Sequence, residues 1–393
     1  MNVLLTNMHG QLGGGEFSLL AHSRSLVAQG HQVYVYLQSD GPIVARLQAE
    51  GAETFVLPFA WRGSKLRSLL EVSRHVRKII GLILRRRIDL VMAYTLNDLV
   101  FAGIAARVTL KPLIYRSQGD VLGGWPAPPK SWLGSYLIPV LRALKTHVVT
   151  TTAYELESYK RLGYPEKRLS WIPLGVDQQK FNGSVFEASV ANLRDELYRG
   201  RLIIGIFGRL VAWKGQKRVI LALAELKQAG LRCDLLIVGD HVFGGGLSYK
   251  NELETLAAEK GVSTQVRVLG HRDDVHTLMA ACDVVVHASD MEPFGLVLVE
   301  AMSARRPVVA MDLPGPRESV LPEETGILVP VRDVSALASA VRRLVEDPSL
   351  RMNMGRCGRE RAAREFDEAK NLNRLNKRMV SFVRHVGNQV TSW

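Results

Sequence analysis

The feature that most constrains this 393-residue chain is a short apolar run that recurs, each time followed by a turn and a segment long enough for a helix. Asn2-Val-Leu-Leu-Thr6 opens the series, and Gly30 to Leu37, Glu53 to Pro58, Asp89 to Tyr94, Pro112 to Arg116 and His147 to Thr152 continue it. A second series runs from Leu202-Ile-Ile-Gly-Ile-Phe-Gly208 through Cys233 to Gly239, Gln265 to Gly270, Asp283 to His287, Arg306 to Ala310 and Gly326 to Pro330. Runs without polar alternation suit strands buried on both faces, and helix-length connections allow them to lie parallel. The expectation is an α/β protein with doubly wound sheets. The length exceeds what one core organises, and a polar, irregular stretch precedes Leu202, so two domains are expected.

Composition excludes several classes. Hydrophobic residues at 47% and charged residues at 23% describe an ordinary globular chain, and no apolar run approaches the ~18–20 residues of a membrane span. The opening Met1-Asn-Val-Leu-Leu-Thr6 lacks the basic start and long apolar core of a signal peptide. Cys233, Cys282 and Cys357 are odd in number and far apart, which suits neither a disulfide framework nor a zinc site and points to a reducing cytoplasm. The net charge of +13 calls for an anionic partner or surface. The first 178 residues hold 21 Lys+Arg against 12 Asp+Glu, so most of that excess lies there. No zinc finger, RNP string or heptad array accompanies it, and nucleic acid is not expected as a partner.

One stretch carries chemistry as well as fold. Ser289-Asp-Met-Glu292-Pro-Phe-Gly295-Leu296-Val-Leu-Val-Glu300-Ala-Met302 leaves the run Asp283 to His287 and passes into a helical segment. Phe294 and Gly295 then lie where a loop enters a helix, with unpaired N–H groups that suit phosphate or sugar oxygens. Glu292 and Glu300 are a little over two helical turns apart and can face one place. By charge alone they also read as an acidic first turn and an ordinary helix glutamate. In type, order and spacing, however, the string resembles the signature of retaining GT-B glycosyltransferases, family 4 (glycosyl transferases group 1) in particular.

That resemblance runs over nearly the whole chain. It implies two Rossmann-like domains facing a central cleft: residues 1–178 on the acceptor side, residues 179–366 binding the nucleotide-sugar, and residues 367–393 as a terminal helix crossing back to the first domain. Glu292 would contact hydroxyls of the donor sugar, the backbone at Phe294, Gly295 and Leu296 would hold the sugar and diphosphate, and Glu300 would accept hydrogen bonds from the ribose. Gly13-Gly14-Gly15-Glu16 matches the family's first glycine turn, so Gly13 and Gly14 would approach the diphosphate. In Gly208-Arg209-Leu-Val-Ala-Trp-Lys214-Gly215, Arg209 and Lys214 match the cation pair of the family, a planar fork and a point charge for the diphosphate. Gln118 stands where many members carry a histidine; glutamine can hydrogen-bond a sugar hydroxyl but does not titrate near neutral pH. Glu292, Arg209, Lys214 and Gln118 are thus the catalytic candidates, with Asp120 a further contact for the acceptor.

The resemblance implies transfer from a UDP- or GDP-linked sugar, with retention, to a saccharide or lipid-linked acceptor of the lipopolysaccharide or exopolysaccharide type. No cofactor is implied beyond the nucleotide-sugar co-substrate. No Asp-x-Asp string occurs, so no metal anchor is expected, and Arg209, Lys214 and helix termini would neutralise the leaving diphosphate. The leaving phosphate can itself take the acceptor proton, so no protein nucleophile is required. Alternatives are a GT-B epimerase of a nucleotide-sugar and a non-catalytic nucleotide-sugar- or membrane-binding module. The stretch from Lys65 to Arg87 alternates Leu66, Leu69, Leu70, Val76, Ile79, Ile80 and Ile83 with Arg67, Arg74, Arg77, Lys78 and Arg85 to Arg87. It reads either as a helix lying on the anionic inner face of the cytoplasmic membrane or as a crossover helix packed on its sheet. The aromatics from Trp125 to Tyr136 read equally as interfacial anchors or as an acceptor-side loop.

Overall fold

The computed structural model describes residues 1–11, 13–59, 65–119, 136–197, 201–240 and 246–390. Two compact units emerge: Met1–Leu174 together with Ala369–Trp393, and Gly175–Glu368. The boundaries fall a few residues from positions 178 and 366. The segment that follows the second unit groups with the first, because Leu375 and Met379 are buried in the core of the first sheet.

Among the described residues the first unit holds seven strands: β1 (Asn2–Asn7), β2 (Gln32–Leu37), β3 (Glu53–Val56), β4 (Leu90–Ala93), β5 (Leu113–Ser117), β6 (His147–Thr150) and β7 (Leu169–Trp171). Their order is β3-β2-β1-β4-β5-β6-β7, and every neighbouring pair is parallel. Alternate residues of β1 serve opposite faces, as the two-residue period of a strand requires. Leu4 joins one core with Val91 and Tyr115, while Val3 and Leu5 join the other with Leu19 and Val35.

The second unit holds β8 (Leu202–Phe207), β9 (Cys233–Val238), β10 (Val266–Gly270), β11 (Val284–His287), β12 (Val308–Met311) and β13 (Gly326–Val329). They run in the order β10-β9-β8-β11-β12-β13, again all parallel. In both sheets the chain starts centrally, builds outward on one side and then returns to build on the other. The reversal falls between β1 and β4 in one sheet and between β8 and β11 in the other. Loops leaving the carboxyl ends of those strands splay apart and leave a crevice for ligand. The segments after β8 and β11 are those that carry Arg209, Lys214 and Glu292.

The basic stretch forms the helix Lys65–Arg85. Its Ile79, Leu82 and Ile83 are buried in the core, whereas Leu70, Arg74, Arg77, Lys78, Leu84 and Arg85 face outward. Much of the apolar stripe is therefore spent on the sheet, as in a crossover helix, and cations dominate what remains outside. Asp120, the aromatic stretch from Trp125 to Trp132 and the glycine-rich loop at 241–245 lie outside the described residues.

Candidate active site

Two loops of the second unit meet at its switch point. After β11 the chain runs through Ser289 to Gly295 and enters the helix Leu296–Ser303. Gly295 caps that helix at φ +89°, a left-handed conformation that costs any residue with a Cβ, so glycine is required there. The turn folds Glu292 back on its own loop: Glu292 Oε1 accepts from the Gly295 N–H at 3.0 Å. The amides of Leu296 and Val297 have no acceptor earlier in the helix and present the positive end of its dipole. Phe294 is an anchor, buried against the Phe366 ring at 5.8 Å, so only its backbone can meet a ligand. Asp290 pins the same loop through ion pairs with Arg218 and Arg332.

The loop after β8 supplies the counter-charge. Lys214 Nζ donates to Glu292 Oε2 at 2.8 Å, and His287 Nε2 donates to the same oxygen at 2.9 Å. Ionised carboxylate only accepts, so His287 carries its proton on Nε2. Burial opposes ionisation of Glu292, but the Lys214 charge and the His287 hydrogen bond outweigh it and hold the carboxyl well below the usual carboxylate range. Trp213 lies between the two sequence-predicted cations: Lys214 Nζ is 4.6 Å from its ring centroid and the Arg209 guanidinium carbon 5.7 Å. Lys214, Glu292 and Gly295 thus form one cluster, with Arg209 linked to it through the indole.

Glu300 stands apart in its electrostatics. It lies on the helix Leu296–Ser303, and its carboxyl makes no hydrogen bond or ion pair among the described residues. Burial pushes its pKa up to about 7, opposed by Lys180. A half-buried carboxyl without a donor is an acceptor waiting for hydroxyl groups.

In the first unit the helix Gly14–Ala28 begins directly after Gly13, which caps it in an extended conformation. Gln118 follows β5, and its Oε1 lies 2.9 Å from where a Cβ on Gly15 would stand, so the glutamine amide sits against the glycine turn. Buried Glu155 holds this loop by accepting from Ser117 Oγ and, at 3.1 Å, from the Gly119 N–H. Gln118 Nε2 is buried without a hydrogen-bond partner among the described residues. Gly13, Gly14 and Gln118 are therefore gathered at the carboxyl edge of the first sheet.

Comparison with known proteins gives these loops a family. A profile described as Glycosyltransferase Family 4 matches residues 12–180, and one described as Glycosyl transferases group 1 matches residues 194–361. The Bacillus subtilis (strain 168) protein EpsD is 30% identical over 315 residues, 78% of this chain and 79% of its own length. The chain is a GT-B glycosyltransferase of family 4. This glycosyltransferase also resembles, at 31% identity, the GDP-mannose-dependent alpha-(1-6)-phosphatidylinositol monomannoside mannosyltransferase of Mycobacterium tuberculosis (strain CDC 1551 / Oshkosh). That match spans 58% of this chain and 62% of the mannosyltransferase. Among solved structures it is similar to Anabaena HepE in complex with UDP and glucose, with a TM-score of 0.78, 26% identity and full coverage of both chains.

Two residues of the glycosyltransferase cluster were not expected from sequence. His287 reads there as the last residue of a buried strand, and Trp213 as a filler between two cations. A signal existed for His287: a polar imidazole ending an otherwise aliphatic buried run needs a partner, and two carboxylates, Asp290 and Glu292, follow within five residues.

Proposed function

We propose that this glycosyltransferase moves a sugar from a UDP- or GDP-linked donor, with retention and without a metal ion, to a lipid-linked or envelope-polysaccharide acceptor. The observation that carries the reading is the Glu292 carboxylate, held ionised by Lys214, His287 and the Gly295 N–H beside the open end of the helix Leu296–Ser303. In this reading the donor diphosphate lies over the Leu296 and Val297 amides and draws on Lys214 and Arg209. Glu292 accepts from sugar hydroxyls, and Glu300 accepts from the ribose. HepE, solved with UDP and glucose, favours uridine as the base, and the GDP-mannose-dependent relative keeps guanosine open.

Chemically, the cations stabilise the charge that develops on the leaving diphosphate, with Lys214 held by Glu292 and both cations close to the Trp213 ring. Glu292 is read as a positioning and electrostatic group, not a nucleophile, because both of its oxygens are committed to fixed donors. The departing phosphate oxygen then takes the acceptor proton on the same face. Gln118 offers an amide to the acceptor at the carboxyl edge of the first sheet, and the cations of the helix Lys65–Arg85 offer an attraction to anionic lipid.

The test is the thermal midpoint with UDP, GDP, ADP and CMP, on the wild type and on Glu300→Ala. A nucleotide at a hundred times its Kd adds about 2.7 kcal/mol of apparent stability. One nucleotide raising the midpoint, with the effect lost in the variant, supports the reading and names the donor class. No response to any of the four overturns the assignment of Glu300 and the donor loops.

A further inference from the structure

A second charged site lies in the same unit, at the opposite edge of its sheet. A cavity of about 460 Å³ opens where the chain enters β11 and β12, lined by Arg305, Arg306, Arg351, Arg356 and Arg359 with Met352 at its rim. The volume is in the range of small-molecule pockets. Two acids share the cavity, and both are committed. Asp283 accepts from Arg194 at 2.9 Å and from the Ile203 N–H at 2.8 Å, and Glu360 pairs with Arg356 at 2.6 Å. Arg305 and Arg306 have no side-chain hydrogen bond or ion pair among the described residues, and Arg306 Nε is buried without an acceptor. Arg351 and Arg359 reach only neutral oxygens, the carbonyls of Leu344 and Ser303 and the amides of Gln178 and Asn182 among them.

This crowding is built in. Arg305 follows the helix Leu296–Ser303 in the left-handed region, φ +59°, which turns the chain so that Arg306 enters the cavity wall. The helix Pro348–Glu365 is pressed onto that turn: a Cβ on its Gly355 would stand 2.3 Å from the Arg305 carbonyl oxygen. Met352, Arg356 and Arg359 recur at helical spacing and so share the face that meets the turn. Burial, with Arg194 and Arg351 adjacent, pushes the Arg306 pKa down against the pull of Asp283. Five guanidinium groups share this cavity with only two carboxylates, both already paired, and a tetrahedral oxyanion with several acceptor oxygens offsets the excess positive charge while satisfying the buried donor.

We propose that this arginine-lined cavity binds a small phosphate-bearing anion, at a site separate from the Glu292 cluster. The inference does not rest on the donor reading, since it concerns other residues at the other end of the same strands.

The experiment titrates inorganic pyrophosphate into the full chain by calorimetry and by thermal midpoint, against sodium chloride at matched ionic strength. Arg305→Glu and Arg356→Ala probe the cavity, and Lys214→Ala removes the cation of the Glu292 cluster. The expected result is a rise in midpoint beyond that of salt in the wild type and in Lys214→Ala, with an apparent Kd at least tenfold weaker in Arg305→Glu. Arg305 is exposed, so that variant should keep the wild-type midpoint without anion, which separates lost binding from lost folding. A rise no larger than that of salt overturns the proposal. So does a rise abolished by Lys214→Ala but kept by Arg305→Glu. A parallel arm with phosphatidylglycerol vesicles distinguishes a lipid headgroup: Arg305-dependent vesicle binding without a soluble pyrophosphate response overturns the small-anion assignment.

Discussion

Replacing Glu300 by glutamine should stabilise the second unit, and more so as the pH rises. The carboxyl is half-buried without a donor, and burial takes its pKa from 4.5 to about 7 in the folded chain. Between those values the native state keeps a proton that the unfolded state has lost, so the wild type loses stability as pH rises through that window. At 1.36 kcal/mol per unit, the loss above pH 7 reaches about 3 kcal/mol, and partial exposure reduces it to about 2–3 kcal/mol. Glutamine has the same shape and no charge, so Glu300→Gln escapes the loss. Urea unfolding at pH 5 and pH 8 should give curves that differ by under ~1 kcal/mol at the lower pH and by about 2–3 kcal/mol at the higher. A difference that does not change with pH, or a variant less stable at pH 8, would refute the claim that desolvation of this carboxyl weighs on the fold. The gain should come with lost nucleotide response, a trade of function for stability at one residue.

Lys214→Ala leaves Glu292 with His287 and one backbone amide, and removing one partner of a mostly buried ion pair should cost about 3 kcal/mol in a urea melt and at least ~100-fold in transfer rate. An unchanged rate would remove Lys214 from the proposed chemistry. Gly295→Ala forces a Cβ into a left-handed cap beside Leu298, and a loss of about 1–2 kcal/mol with weaker nucleotide binding is expected by melting and calorimetry. Reversing Arg85, Arg86 and Arg87 to glutamate should release the protein from phosphatidylglycerol vesicles in a sedimentation assay, each cation having been worth ~1 kcal/mol near the surface. Equal sedimentation of variant and wild type would remove the membrane partner.

Most strands were legible because they are buried on both faces and read as uninterrupted apolar runs, although β3 and β10 at the sheet edges are only partly buried. β7 is the informative exception. Leu169 is buried but Trp171 is exposed, as suits an edge strand, and no continuous apolar run marks it in the sequence. Glu292, Arg209 and Lys214 were singled out by the resemblance to the family; the contact between Lys214 and Glu292 was not foreseen. Trp213 matters only once its loop brings two cations to one ring, and His287 only once Gly295 has turned Glu292 back. The helix Lys65–Arg85 shows the reverse limit, since one amphipathic pattern serves a bilayer or a sheet equally, and the structure spends Ile79, Leu82 and Ile83 on the sheet. The arginine cavity had no sequence signal, because its residues come from separate segments that only close packing at Gly355 brings together.

The helix Glu368–Val390 completes the first unit although the whole second unit precedes it in the chain. During synthesis the second unit can therefore close its core while the first still lacks Leu375 and Met379, the reverse of the usual N-terminal-first order. Asn376, whose Oδ1 accepts from His22 Nε2 at 2.8 Å and whose Nδ2 donates to Ser25 Oγ at 3.1 Å, follows the second unit in the chain and adds partners to the helix Gly14–Ala28. Until then the glycine turn at the head of that helix rests on an unfinished scaffold. The first sheet therefore completes its core only with residues translated after the whole second unit.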